Sequence, residues 1–128
     1  MTVLPTTDAF REFWTARHLC TVTTLRPDGS PHVVPMGVVV DADAGVAWAI
    51  TSRTSRKARN LSGPGPIAVC CVDGRHWSTL EGTATIHDDA ATVALAEARY
   101  AERYKVPRPN PERVAVRIEV TRVLGNVR

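Results

Sequence analysis

Apolar residues recur at every second position in several short stretches of the chain, a spacing that predicts β-strands. The clearest stretch runs over residues 114–121, where every even-numbered residue from 114 to 120 is valine or isoleucine. Similar alternation over residues 20–25, 46–51 and 79–86 predicts three more strands. Apolar runs over residues 32–40 and 66–72 bring the expected number of strands to six.

Three other stretches have helical spacing instead. Phe10, Phe13 and Trp14 stand at i, i+3 and i+4, so they share one face of a short helix near the start of the chain. Residues 55–61 and 88–104 predict two further helical segments. Three prolines follow the last segment, and proline forces the residues around it into an extended connection.

This order of elements predicts a mainly β (α+β) fold. Six short, mostly antiparallel strands with two or three short helices fit one domain over residues 1–128. A small barrel is the expected arrangement, because closing the sheet removes its exposed edges.

Composition narrows the class of protein. Sixteen Lys+Arg against thirteen Asp+Glu give a net charge of +3, and fourteen of those cations are arginine. No secretory signal or membrane span is visible, and the three cysteines form no Cys-x-x-Cys pair, so we expect a reduced, cytoplasmic protein. A nucleic-acid binder is a weaker alternative, because base stacking needs exposed aromatic residues and only 5% of the chain is aromatic.

The basic residues concentrate first in residues 51–60, a segment between a predicted strand and a predicted helix. Residues 44–72 contain no acidic residue, and residues 51–60 carry four cations together with several hydroxyl groups. Hydroxyl groups, free backbone N–H groups at a helix start and Arg or Lys side chains all favour a bound phosphate. A solvated basic helix face is the alternative interpretation.

A second basic region contains Arg99, Arg103 and Arg108, which could bind the carboxylates of a substrate. Ordinary surface charge with nearby glutamate partners is the alternative. The four histidines have no metal-ligand spacing and no Gly-x-Ser-x-Gly motif is present, so we predict no metal site and assign no catalytic residue. An anion site without catalytic groups favours a reaction carried by a cofactor.

Several motifs occur in an order and spacing that is specific as a set. They are DGSPHVVP at residues 28–35, ITS at 50–52, VDGRHW at 72–77, LEG at 80–82, PRPNP at 107–111 and RVLG at 122–125. Over nearly its whole length the chain resembles the split-barrel flavin/deazaflavin oxidoreductases, relatives of pyridoxamine 5′-phosphate oxidase. The tail is most similar to the branch that uses coenzyme F420, and within it to the F420-dependent biliverdin reductases.

The resemblance implies a six-stranded antiparallel split β-barrel that forms a homodimer, with two cofactor sites at the subunit interface. The cofactor would be coenzyme F420 or, as the alternative, FMN. Trp77 would come from the neighbouring hairpin or from the other subunit. The residues implied in cofactor binding are His32, Val34, Pro35, Met36, Gly37, Thr51, Ser52, Ser55, Arg56, Lys57, Asn60 and Trp77.

The activity implied is hydride transfer from the reduced deazaflavin to a conjugated acceptor, with biliverdin as the leading candidate. Arg99, Arg103 or Arg108 would then bind the propionates of the bilin. An FMN-dependent oxidase or reductase, and a non-catalytic carrier of a deazaflavin or a tetrapyrrole, are the alternatives. The C-terminal His and Arg motifs of the vitamin B6 oxidases are not matched in this sequence, which argues against vitamin B6 chemistry.

Overall fold

Residues 3–128, the part of the chain that the computed structural model describes, contain seven strands and three helices. The helices are α1 (Asp8–Thr15), α2 (Arg56–Asn60) and α3 (Ala90–Arg103). The strands are β1 (Cys20–Leu25), β2 (Pro31–Met36), β3 (Val39–Asp41), β4 (Val46–Ser52), β5 (Gly65–Asp73), β6 (His76–His87) and β7 (Arg113–Gly125).

The strands form one antiparallel sheet in the order β2-β1-β5-β6-β7-β4-β3. Within residues 3–128, β2 and β3 are the two edges of this sheet and are not hydrogen-bonded to each other, so the barrel is split rather than closed. The mainly β split-barrel prediction is therefore confirmed.

The expected number of strands is one too low, because the predicted strand over residues 32–40 divides into β2 and β3. The division falls at Gly37 and Val38, where the chain meets the end of α3. The backbone N–H of Val38 donates to the hydroxyl oxygen of Tyr104 at 3.2 Å. The Val38 N–H is therefore bonded to a side chain, whereas in an unbroken strand it would be free to bond to the neighbouring strand.

The core lies on the inner face of the sheet, where the predicted alternation places it. Cys20, Val22 and Thr24 of β1 are buried. Helix α1 covers this core with Phe10 and Trp14, as its i, i+4 spacing predicts. The indole N–H of Trp14 donates to Ser78 Oγ at 3.0 Å, which satisfies the indole donor in the apolar interior.

Helix α3 covers the outer face of β4, which is why β4 is buried on both sides. Ala96 packs with Val46, Trp48 and Ala115 in a second apolar cluster. Farther along the helix, Tyr100 and the residue that follows its end, Tyr104, stack with ring centroids 4.9 Å apart, beside the β2–β3 junction. None of the three helices of residues 3–128 is long and apolar enough to cross a membrane.

Candidate functional site

A groove of about 610 Å³ runs between the end of β2, the end of β4 and the proline-rich connector that follows α3. It brings together five of the predicted site residues, which are Met36, Gly37, Thr51, Ser52 and Arg108. The other lining residues are Leu19, Ile50, Tyr100, Lys105, Pro107, Asn110 and Arg113. Sequence reasoning did not place these seven in the site, although Lys105 and Arg113 belong to the second basic region that it identified.

One end of the groove is built from hydroxyl groups held by local hydrogen bonds. Thr51 Oγ1 donates to Ser55 Oγ at 3.0 Å, and Ser55 Oγ accepts from the backbone N–H of Ala58 as the N-cap of α2. The Asn110 side-chain amide donates to Ser52 Oγ at 2.9 Å, tying β4 to the connector. Because α2 has only five residues, side chains must supply most of the attraction for an anion here.

The four cations of this segment are not equivalent. Arg53 is paired with Glu112 at 2.7 Å, so its charge is already balanced. No carboxylate within residues 3–128 lies within ion-pair distance of Arg56, Lys57 or Arg59. The Lys57 side chain is half-buried, and this loss of contact with water lowers the pKa of its ammonium group. A phosphate beside Lys57 would restore the lost solvation.

The inward face of β2 contributes the half-buried side chains of His32, Val34 and Met36. Pro35 is exposed on the opposite face, so only its backbone borders this side of the sheet. His32 stands opposite Thr24 in the register of β1 and β2. The amide of Asn60 donates to Thr24 Oγ1 at 2.9 Å, so α2 reaches the same place.

Two polar atoms at this meeting point are buried without a hydrogen-bond partner, His32 Nδ1 and Asn60 Oδ1. Burial, followed by the charges of Arg26, Lys57 and Arg56, lowers the pKa of His32, so its ring is neutral at pH 7. A neutral imidazole has one N–H donor and one acceptor nitrogen. The threonine hydroxyl can either accept from the Asn60 amide or donate to it, so both orientations of that amide are possible. These atoms therefore fit a ligand that bears both hydroxyl and phosphoryl groups, such as the side chain of a flavin or deazaflavin.

Arg103 is not in the groove, which corrects its predicted role in binding substrate. Arg103 is only 5% exposed, and its guanidinium donates to the carbonyl oxygens of Ala16 at 2.9 Å and Val38 at 2.7 Å. A side chain held in this way has no donor facing a substrate. Arg103 lies four residues after Arg99 on α3, and the fold turns its side chain inward.

Arg99 and Trp77 also lie away from the groove. Arg99 pairs with Asp41 at 3.4 Å and with Glu102 at 3.1 Å, in a separate depression beside α1. Of the three arginines predicted to bind substrate, only Arg108 lines the groove. Trp77 is 39% exposed near the start of β6 and lines no part of the groove within one chain. Residues 3–128 contain no group of three or more His, Cys, Asp or Glu side chains placed to hold a metal ion.

The split barrel and its groove define a protein of the flavin/deazaflavin oxidoreductase class. The chain belongs to the pyridoxamine 5′-phosphate oxidase family, whose sequence model matches residues 6–126. It is 46% identical over 114 residues to an F420H(2)-dependent biliverdin reductase of Mycobacterium tuberculosis (strain CDC 1551 / Oshkosh), a match that covers 89% of this chain and 83% of that one.

Solved structures agree on the fold. A conserved hypothetical protein from Mycobacterium tuberculosis superposes with a TM-score of 0.78 at 26% identity, covering 97% of this chain and 86% of that one. An F420 reductase superposes with a TM-score of 0.71 at 22% identity, covering 89% and 94%. The family resemblance that the sequence motifs indicate is thus confirmed.

Proposed function

We propose that this chain is a reductase that uses coenzyme F420 and acts on a conjugated, carboxylate-bearing acceptor, with biliverdin as the specific candidate. The observation that carries the proposal is the groove itself, which joins the predicted cofactor residues Met36, Gly37, Thr51 and Ser52 to Arg108. The 46% identity to an F420H(2)-dependent biliverdin reductase supports the same activity.

The residues at the α2 end would hold the cofactor. Ser52, Ser55, Arg56 and Lys57 supply donors and positive charge for a phosphate, and Asn60 and His32 supply the unpaired atoms for neighbouring hydroxyls. When bound, the reduced deazaflavin supplies a hydride to an electron-poor carbon of the acceptor. The chain itself would contribute binding and orientation.

The other end of the groove suits an acceptor with carboxylates. Arg113 is paired with Glu97 at 2.8 Å, but Lys105 and Arg108 have no ion-pair partner within residues 3–128. Two unbalanced cations in one groove attract an acidic ligand. Tyr100, which also lines the groove, offers an aromatic surface to a planar conjugated system.

The test is spectroscopic. Protein is titrated with F420 and, separately, with FMN, and the oxidation of reduced F420 is then followed after adding biliverdin. We expect micromolar binding of F420 and multiple turnovers with biliverdin. Binding of F420 without turnover would contradict the proposed substrate and favour a carrier. Tight binding of FMN without binding of F420 would contradict the proposed cofactor.

We also propose that the chain works as a homodimer through the outer face of β1, β2, β5, β6 and β7. Val33, Val72 and Trp77 lie on this face and are 56%, 56% and 39% exposed. The strand registers place them on the same side as Leu25 and Leu124, which are also exposed. Exposed apolar side chains gathered on one face of a sheet favour an interaction site. This face includes edge strand β2, so a second copy seated there could bring its Trp77 to the cofactor.

A cytoplasmic location is proposed as well. Cys20, Cys70 and Cys71 are all free thiols, which persist in a reducing compartment.

A further inference from the structure

Arg103 carries a buried positive charge for which the described part of the chain provides no carboxylate. None of the ion pairs within residues 3–128 includes this residue, which is 5% exposed. Its guanidinium donates to the carbonyl oxygens of Ala16, Val38 and Phe13 and lies over the ring of Trp14. Carbonyl dipoles solvate a cation but do not neutralise it, and an unpaired buried charge is costly.

The remaining contacts of this guanidinium are two sulfur atoms. Nη1 lies 3.8 Å from Cys20 Sγ, and Nη2 lies 3.5 Å from Cys71 Sγ. Cys20 and Cys71 are 1% and 0% exposed and stand directly opposite each other in the register of β1 and β5. A thiolate on one of them would be the missing counter-charge.

The electrostatics assign that thiolate to Cys71. A hydrogen bond from the Cys20 thiol, together with Arg103, lowers the pKa of Cys71 to about 6, whereas the same contact and burial raise the pKa of Cys20. The other titratable groups facing the pair are His18 and Tyr104, and burial raises the pKa of Tyr104, which stays protonated. These influences favour ionisation of Cys71 over ionisation of Cys20.

We propose that Cys20 and Cys71 form a redox site, in which a hydroperoxide converts the pair to a cross-strand disulfide. The Cys71 thiolate attacks one peroxide oxygen and breaks the O–O bond, giving Cys71 sulfenic acid and, from hydrogen peroxide, hydroxide. Cys20 sulfur then attacks Cys71 sulfur, and the sulfenic hydroxyl takes the Cys20 thiol proton and leaves as water. The negative charge of the original thiolate ends on the hydroxide released in the first step. Two sulfurs lose one electron each, and the peroxide gains both.

The backbone geometry permits this bond. Directly opposite residues of an antiparallel pair have Cα atoms about 4.5–5.5 Å apart, within the range of about 4.4–6.8 Å that disulfides span. A cavity of about 340 Å³ is lined by Arg17, Leu19, Tyr100, Tyr104 and Lys105, of which Leu19 precedes Cys20 and Tyr104 follows Arg103 in the chain. The Cys71 thiol donates to the carbonyl oxygen of Leu19 at 3.8 Å, a contact that Cys71 gives up when it ionises. A small opening of the Leu19 loop would then admit a peroxide.

Cys70 provides a matched control, because it neighbours Cys71 in sequence but points to the opposite face of β5. In C70A the pair is the whole thiol content of the chain. We expect hydrogen peroxide to remove both thiols of C70A, with a mass loss of two hydrogens and a dithiothreitol-reversible peptide linking residues 20 and 71. Two thiols that survive peroxide, or a product linked between chains, would overturn the proposal.

A second measurement tests the role of Arg103 without relying on a variant that must fold. The rate of peroxide oxidation of C70A should reach half its maximum near pH 6, and a midpoint near the ordinary thiol value of about 8.5 would contradict the thiolate. In folded C70A/R103M the midpoint should move to higher pH and oxidation at pH 7 should slow, by about tenfold for a midpoint near pH 8, where roughly a tenth of the thiol is ionised at pH 7. An unchanged rate would exclude Arg103 as the counter-charge.

Discussion

At the scale of single residues, Gly37 shows how a backbone position can determine the shape of the groove. A Cβ at this position would lie 2.8 Å from Cε2 of Tyr104 and 2.9 Å from Cε2 of Tyr100. The stacked tyrosines cannot move freely, because the Tyr104 hydroxyl donates to the carbonyl oxygen of His18 at 2.7 Å. Glycine is needed here for space, since its φ is not positive.

We therefore expect G37A to displace Tyr100 in the groove and to lower the free energy of unfolding by about 1–3 kcal/mol, the usual cost of overpacking. Denaturant unfolding and the KM for the acceptor measure the two effects. G63A is the matched control, because a Cβ at Gly63 meets nothing within 4 Å. Equal stability of G37A and G63A would show that the tyrosines yield without cost.

Arg108 supplies the second prediction at this scale, which rests on the proposed function. Its charge has no partner within the described chain and faces the groove. We expect R108A to raise KM for biliverdin by roughly tenfold with little change in kcat, because a contact to a remote carboxylate binds substrate and transition state alike. R59A, which removes an exposed arginine outside the groove, should leave KM unchanged. A selective fall in kcat in R108A would instead place Arg108 at the reacting atoms.

At the scale of elements, the spacing of apolar residues correctly predicted those features that depend only on residues close together in the sequence. Strand β1 has the predicted bounds, and the apolar face of α1 is buried as its spacing requires. Alternation could not show the break between β2 and β3, because the break depends on Tyr104, 66 residues away. Arg103 was misplaced for the same reason, since its carbonyl and sulfur partners lie 32 to 90 residues distant. In the same way, Thr51, Ser52 and Arg108 line one groove only because distant parts of the chain pack together.

The start of α3 provides a test at this scale. The Asp89 carboxylate accepts from the backbone N–H of Thr92 at 3.0 Å and from its hydroxyl at 2.7 Å, and these bonds lower the pKa of Asp89. We expect D89A to lower Tm by a few degrees through loss of the N-cap, with D89N retaining most of the stability. D88A, at a neighbouring position without this role, is the control.

The pH dependence of this difference has a defined sign. A carboxyl whose folded-state pKa is lowered stabilises the fold while it is ionised, and the stabilisation is lost as pH falls through that lowered pKa. The Tm difference between wild type and D89A should be constant above about pH 5 and shrink at lower pH. A difference that grows on acidification would contradict the assignment of the cap to the carboxylate.

At the scale of the whole molecule, the two faces of the sheet differ in what covers them. The inner face forms the core, α3 covers β4 on the outer face, and the outer face of β1, β2 and β5 keeps apolar side chains in water. A fold that leaves two valines 56% exposed on the same face of the sheet is explained if a second copy covers them. That one domain spans residues 1–128 stays a prediction.

The proposed dimer makes the last prediction. V72E places a charge on the apolar outer face, opposite Trp77 near the β5–β6 hairpin. Because desolvating this charge at an interface is costly, we expect the variant to be monomeric by light scattering at concentrations where the wild type is a dimer. L95E is the matched control, because Leu95 is 44% exposed on α3, away from this face. If Trp77 of the partner subunit completes the cofactor site, V72E also loses F420 affinity while its circular dichroism and Tm stay close to those of L95E. A V72E dimer would contradict the proposed interface, and a wild-type monomer that binds F420 fully would show that one chain forms the whole site.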